Sequence, residues 1–131
     1  MSGDNTGGQP RQVVLVVDDE ESVRQILVRL LDHIGYATLT ANDGVTAVDT
    51  VRSGTHVDGV LMDVAMPGIS GVEAAQQINA LAPHLPIILM SGHALPWLSK
   101  HGLAIPIAGF LQKPFTFENL RHLLHSVLPV T

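Results

Sequence analysis

Four places in the chain carry groups whose types and spacing could do chemistry together: Asp18-Asp19, Asp63, Ser91 and Lys113. Asp63 ends the apolar run Val60-Leu61-Met62, and a Pro67-Gly68 turn follows it. Inside such a strand a carboxylate would be an unpaired buried ion. Just past the strand's carboxyl end it lies where open α/β sheets bind ligands. Asp18-Asp19 follow the apolar residues 13–17 in the same manner, and Lys113-Pro114 follow Phe110-Leu111. An aspartate there often only starts a turn, and acids at a helix start complement its dipole. Recurrence after separate apolar runs favours chemistry instead. Carboxylates clustered in one crevice repel each other and need a cation, and an all-oxygen set with open water positions favours Mg²⁺. A metal beside a lysine suits a doubly charged phosphoryl group, with a neighbouring carboxylate as nucleophile. Ser91 could donate a hydrogen bond to a phosphoryl oxygen.

The elements that must position these groups read clearly. Val13–Val17 is apolar and almost wholly β-branched, as in a strand buried on both faces of a parallel sheet. A helix follows to about His33, with Val23, Ile26, Leu27, Leu30, Leu31 and Ile34 at helical spacing and Gly35 as its stop. Tyr36–Thr40 is a second strand, and Asn42-Asp43-Gly44 turns into a helix closed by Gly54. Val57–Met62 is the third strand. Ser70 and Glu73 form a capping box for a helix reaching about Leu81. Leu85–Met90 is the fourth strand. Pro96 and Gly102 limit the next helix to about one and a half turns, Pro96–His101. Ala108–Leu111 is the fifth strand, and Phe115 and Leu120 staple a last helix starting at Thr116. Five strands alternating with five helical stretches predict an α/β fold: one doubly wound parallel sheet with helices on both faces. The expected domain spans residues 13–129, and residues 1–12 read as a disordered leader or linker.

Composition narrows the function classes. With 131 residues, 46% hydrophobic content and 4% aromatic, the chain suits one domain with an aliphatic core. Net charge is −5 and the seven Lys and Arg are scattered, which argues against a nucleic-acid groove. The absence of cysteine excludes disulfides and thiolate metal sites. No apolar run approaches a membrane span, and no signal sequence is evident, so a soluble intracellular protein is expected. His122 and His125 sit at i, i+3 on the last helix but lack a third ligand nearby, so they read as surface histidines. Trp97 and Leu98 read as core or half-buried residues rather than a partner patch.

Taken together, Val16-Val17-Asp18-Asp19-Glu20, the stretch 61–71 around Asp63, Ser91-Gly92 and Phe110-Leu111-Gln112-Lys113-Pro114-Phe115 resemble the receiver domain of bacterial two-component response regulators. The likeness runs from Val13 to Leu128. It implies a flavodoxin-like sheet of order 2-1-3-4-5 and a phosphoryl acceptor at Asp63. By the same likeness Asp19 and Asp63 bind Mg²⁺ directly, Asp18 acts through water, and the backbone carbonyl of Ala65 adds a ligand. Lys113 would pair with the phosphoryl group, across a Lys113-Pro114 bond that is usually cis. Ser91 and Phe110 match the switch pair, the hydroxyl swinging to the phosphate while the ring turns inward. The implied donor is a phosphohistidine of a sensor histidine kinase or phosphotransfer protein. The implied target is a downstream effector or a tethered kinase domain, in the cytoplasm. Such a domain catalyses its own phosphorylation and dephosphorylation and is not a turnover enzyme.

Two departures from that family pattern stand out: the fourth helix is short, and the chain stops after the fifth. The second departure suggests a stand-alone receiver or one cut from a larger protein such as a hybrid kinase. A haloacid-dehalogenase-type phosphatase is the enzyme alternative, but its general acid two residues after the nucleophile is Ala65 here. A flavodoxin-like binding module would want phosphate-cradling residues after the first strand, where this chain has four acids.

Overall fold

The structure is a computed structural model and describes residues 10–129. Most of the leader expected over residues 1–12 therefore lies outside the described residues. Of its last part, Arg11 pairs with Asp32 at 2.6 Å and the Gln12 carbonyl accepts the Ala37 N–H.

Strands and helices alternate throughout. The strands are β1 (Val13–Val17), β2 (Ala37–Ala41), β3 (Gly59–Asp63), β4 (Ile87–Ser91) and β5 (Gly109–Gln112). Between and after them run α1 (Glu21–Ile34), α2 (Gly44–Arg52), α3 (Gly71–Leu81), α4 (Leu95–Lys100) and α5 (Phe117–Val127). All pairings are parallel and the strand order is 2-1-3-4-5, the single doubly wound sheet expected. The order reverses beside β1, the kind of switch point that opens a crevice at the strands' carboxyl ends.

Two apolar layers hold the sheet, because side chains alternate between its faces. Val14, Val16, Leu61, Met90 and Leu111 pack against α1 and α5 through Leu27, Leu31, Leu120 and Leu124. Leu15, Val17, Val60, Met62 and Leu89 pack on the other face against Ala47, Val48, Ala74, Ala75 and Ile78 of α2 and α3. Each fully buried aliphatic side chain contributes about 1.5–3 kcal/mol. Charge is thereby excluded from the strands until their last residues.

The helix ends follow local chemistry. Gly35 closes α1 at φ +125°, a backbone conformation that costs glycine little, and its N–H reaches the Leu31 carbonyl. Ser70 caps α3 by accepting the Glu73 N–H, but the expected capping box is not completed there, since Glu73 makes no reciprocal bond. A full box forms instead at α5, where the Thr116 and Asn119 side chains each accept the other's backbone N–H. The amide of Asn119 takes the place of the usual Glu or Gln. At the far end of α5, the Tyr36 hydroxyl donates to the Leu128 carbonyl.

α4 has six residues, Pro96 in its first turn and no side-chain cap. It starts one residue earlier than the sequence suggests, because Leu95 precedes the proline without needing an N–H partner of its own. Leu98 anchors it at 1% exposure. Trp97 instead remains 39% exposed, its ring stacked between His93 and His101 with centroids 3.8 Å away on either side. The pair expected to share a buried role is thus divided between core and surface.

Candidate functional site

The strand register sets the crevice. Val17 lies opposite Met62, so Asp18 and Asp63 come next on adjoining strands. Asp63 lies opposite Met90, and Ser91 lies opposite Gln112, the residue before Lys113. The Lys113 N–H donates to the Ser91 carbonyl at 2.7 Å, tying the ends of β4 and β5 together.

Asp18, Asp19 and Asp63 each place a carboxylate oxygen within 4.8 Å of the others. Asp18 and Asp63 are 1% and 6% exposed, while Asp19 faces solvent. Two carboxylates about 5 Å apart repel by roughly 3 kcal/mol at an effective dielectric near 20. Lys113 answers part of this: its Nζ lies 2.9 Å from Asp63 Oδ1 and 3.9 Å from Asp18 Oδ2. One ammonium against three carboxylates leaves the crevice about two charges negative. Burial raises the Asp63 carboxyl above its ordinary value, Lys113 opposes that rise, and Asp18 and Asp19 add to it.

One atom bears directly on this balance. Asp18 Oδ2 is buried without a hydrogen-bond partner among the described residues. A buried anionic oxygen without a hydrogen bond is costly, and an ion is among the few explanations for one. Three hard oxygen donors, a residual charge near −2 and this orphaned oxygen fit a divalent cation such as Mg²⁺.

The loop after β3 is held close by a glycine. A Cβ on Gly71 would stand 2.2 Å from the Asp63 carbonyl oxygen and 2.7 Å from Val64 Cα. Only a residue without a side chain lets α3 begin there, and the Gly71 N–H bonds the Val64 carbonyl at 2.8 Å. Ala65 lies in the loop so formed, exposed, two residues past Asp63.

Ser91 and Phe110 belong to adjoining strands. Leu89 pairs with Phe110, and Ser91 is two residues further along β4. The period of two therefore turns the Ser91 and Phe110 side chains to the same face as diagonal neighbours. Ser91 is 3% exposed and its Oγ accepts the His93 N–H at 2.9 Å. Phe110 is half-buried with Leu103, Ile105 and Ile107 on the α2–α3 face. The Lys113-Pro114 peptide bond is cis. A hollow of about 700 Å³ along β5 and α5 contains none of the three acids.

Asp18, Asp19, Asp63, Lys113 and Ser91 thus converge at one edge, while Phe110 stands behind Ser91. His122 is exposed, His125 is half-buried 6.4 Å from the Tyr36 ring, and neither belongs to a metal-ligating group among the described residues. Two residues at the site escaped sequence reasoning. Gly71 carried only the signal of a glycine opening a helix. Arg24, whose Nη1 donates to the Asp18 carbonyl at 2.7 Å, carried only that of a base just after four acids.

A doubly wound sheet with a cation-seeking acidic crevice and a lysine at its carboxyl edge defines an α/β domain that handles charged phosphoryl groups. The chain belongs to the response regulator receiver domain family, whose pattern matches residues 14–125. It is accordingly a phosphoryl-accepting signalling domain. It is 39% identical over 119 residues to LuxN of Vibrio harveyi, an autoinducer 1 sensor kinase/phosphatase. That match covers 88% of this chain and 13% of LuxN, so the chain spans a small part of that relative. Its fold is similar to that of the Vibrio cholerae chemotaxis protein CheY4, at TM-score 0.82 and 31% identity over 91% of this chain and all of CheY4. It is also similar to the receiver domain of the Pseudomonas aeruginosa sensor histidine kinase PA1611, solved with a magnesium ion coordinated in its active-site cleft. There the TM-score is 0.82 at 26% identity, over 92% of this chain and 100% of the other. No helix among the described residues is long and apolar enough to cross a membrane.

Proposed function

We propose that Asp63 receives the phosphoryl group from a phosphohistidine on a sensor histidine kinase or phosphotransfer protein. The observation that carries this reading is the Lys113–Asp63 pair at 2.9 Å beside the orphaned Asp18 Oδ2. Asp18, Asp19, Asp63 and the backbone carbonyl of Ala65 would hold Mg²⁺, Asp18 through water. When bound, the ion supplies positive charge against the phosphoryl oxygens. A carboxylate oxygen of Asp63 attacks phosphorus, the P–N bond breaks, and the imidazole leaves. Lys113 turns from the Asp63 carboxylate to the phosphoryl oxygens, where its charge offsets the charge delivered. Ser91 releases the His93 N–H and donates its hydroxyl to the same group, vacating room on the face it shares with Phe110. The ring follows, and the 93–107 segment reorders for a downstream effector or a tethered kinase domain.

On this reading the domain acts in the cytoplasm, catalyses its own phosphorylation and dephosphorylation, and turns over no other substrate. The haloacid-dehalogenase reading has no support in the family match, and Ala65 cannot act as its general acid. Incubation with Mg²⁺ and a small acyl phosphate, followed by intact-mass measurement, tests the proposal. One phosphoryl group should be added to the parent, none to Asp63→Asn, and none once a chelator is present. Phosphorylation that persists in Asp63→Asn would refute it.

A further inference from the structure

Every polar atom of Asp18 but one is engaged by the protein itself. Its N–H donates to the Ala41 carbonyl at 3.3 Å, and its Oδ1 accepts the Glu20 N–H at 3.0 Å. Its carbonyl oxygen accepts Arg24 Nη1 at 2.7 Å. Only Oδ2 is left, buried and 3.9 Å from Lys113 Nζ. Three fixed points thus aim the remaining oxygen into the crevice, and Arg24 is the one side chain among them.

The choice of partner is informative. Arg24 follows four acids, Asp18, Asp19, Glu20 and Glu21, and a guanidinium placed by charge alone would pair with a carboxylate. Among the described residues its hydrogen bond goes to a neutral carbonyl, and none of the ion pairs formed includes it. Its own N–H bonds the Glu20 carbonyl at 3.0 Å, so the first turn of α1 forms the platform from which the half-buried side chain reaches back.

We propose that Arg24 is a positioning residue for the divalent cation: it clamps the backbone of Asp18 and thereby orients the free carboxylate oxygen. The inference rests on the Mg²⁺ reading above. Partners that orient a metal's ligands typically contribute tenfold or more to affinity. The sign of the effect separates this role from a purely electrostatic one. A positive charge beside a cation site weakens binding, so removing Arg24 would tighten Mg²⁺ if charge were its only contribution. Loss of the clamp loosens it.

The experiment is a Mg²⁺ titration of the parent, Arg24→Ala, Arg24→Gln and Arg24→Lys, followed by backbone amide NMR shifts, with thermal melts in chelator alongside. The expected result is a Kd raised about tenfold in Arg24→Ala and Arg24→Gln. A smaller rise is expected in Arg24→Lys, which keeps a charged donor, and the metal-free melting temperatures should stay close to the parent's. If Arg24→Ala does not fold, Arg24→Gln against Arg24→Lys decides. Variants that bind Mg²⁺ as tightly as the parent, or more tightly, would overturn the role of Arg24 alone. A parent that binds no Mg²⁺ overturns both this role and the reading beneath it.

Discussion

The ammonium of Lys113 lies 2.9 Å from Oδ1 of Asp63, although their strands are not neighbours. β4 runs between them, and Lys113 reaches past its end while its own N–H holds the Ser91 carbonyl. One residue thus carries both the charge pairing and the backbone pairing, so a change in the Asp63 charge should be felt on the strand that carries Phe110.

Replacing Lys113 exposes the balance at Asp63. Lys113→Ala removes both influences that lower the Asp63 carboxyl, leaving burial and the repulsion of Asp18 and Asp19. The carboxyl should titrate higher in the metal-free variant than in the parent, as read by NMR of the Asp63 carboxyl carbon. The variant should still accept phosphate from a small donor but show little of the parent's spectral change. Equal changes in both would contradict the linkage.

Asp63 also sets a pH dependence of stability. Its folded-state pKa is raised above the unfolded value, mainly by burial, so across that window the folded state binds more protons. Stability then falls as pH rises through the window, and what Asp63 contributes when protonated is absent above it. Without metal at neutral pH, Asp63→Asn should melt higher than the parent. The advantage should vanish below the ordinary aspartate range, where both side chains are neutral. Adding Mg²⁺ should raise the parent more than the variant. Melting curves over pH, with chelator and with Mg²⁺, check each part.

Ser91 and Phe110 should be energetically coupled. Ser91→Ala removes a hydroxyl that accepts the His93 N–H, a hydrogen bond of about 1 kcal/mol. A double-mutant cycle with Phe110→Ala, read on the conformational response to phosphorylation, should be non-additive by roughly 0.5 kcal/mol or more. Additivity would separate the two residues.

Gly71 should tolerate no side chain. Gly71→Ala drives a methyl onto the Asp63 carbonyl oxygen 2.2 Å away, which backbone must relieve. A cost of about 1–3 kcal/mol is expected, with slower phosphorylation as Asp63 shifts. Gly92→Ala is the control: it lies beside the same crevice, and its Cβ would meet nothing within 4 Å. Chemical denaturation of the two variants should separate them clearly.

The one-dimensional pattern determined a good deal. The apolar residues 13–17 and 60–62 read as buried strands, because they alternate with stretches of helical spacing that cover both faces. The carboxylates that follow those runs read as strand-end residues, since mid-strand their charge would be buried unpaired. The presence of Asp18, Asp19, Asp63, Ser91 and Lys113 at one edge was therefore legible in the chain. The short α4 was legible as well, because Pro96 and Gly102 act locally. The tertiary structure decided what depends on distance rather than order. The 2-1-3-4-5 order, expected from the family likeness but not from the apolar pattern, sets Lys113 against an aspartate 50 residues away, and pleating turns the expected pair Ser91 and Phe110 to one face. Gly71 is required because α3 returns onto the backbone of β3, and Arg24 matters because it turns from four acids to a carbonyl. Such contacts leave no periodic trace: each is a single side chain, or a missing one, whose partner is chosen only when packed elements bring two backbones within reach.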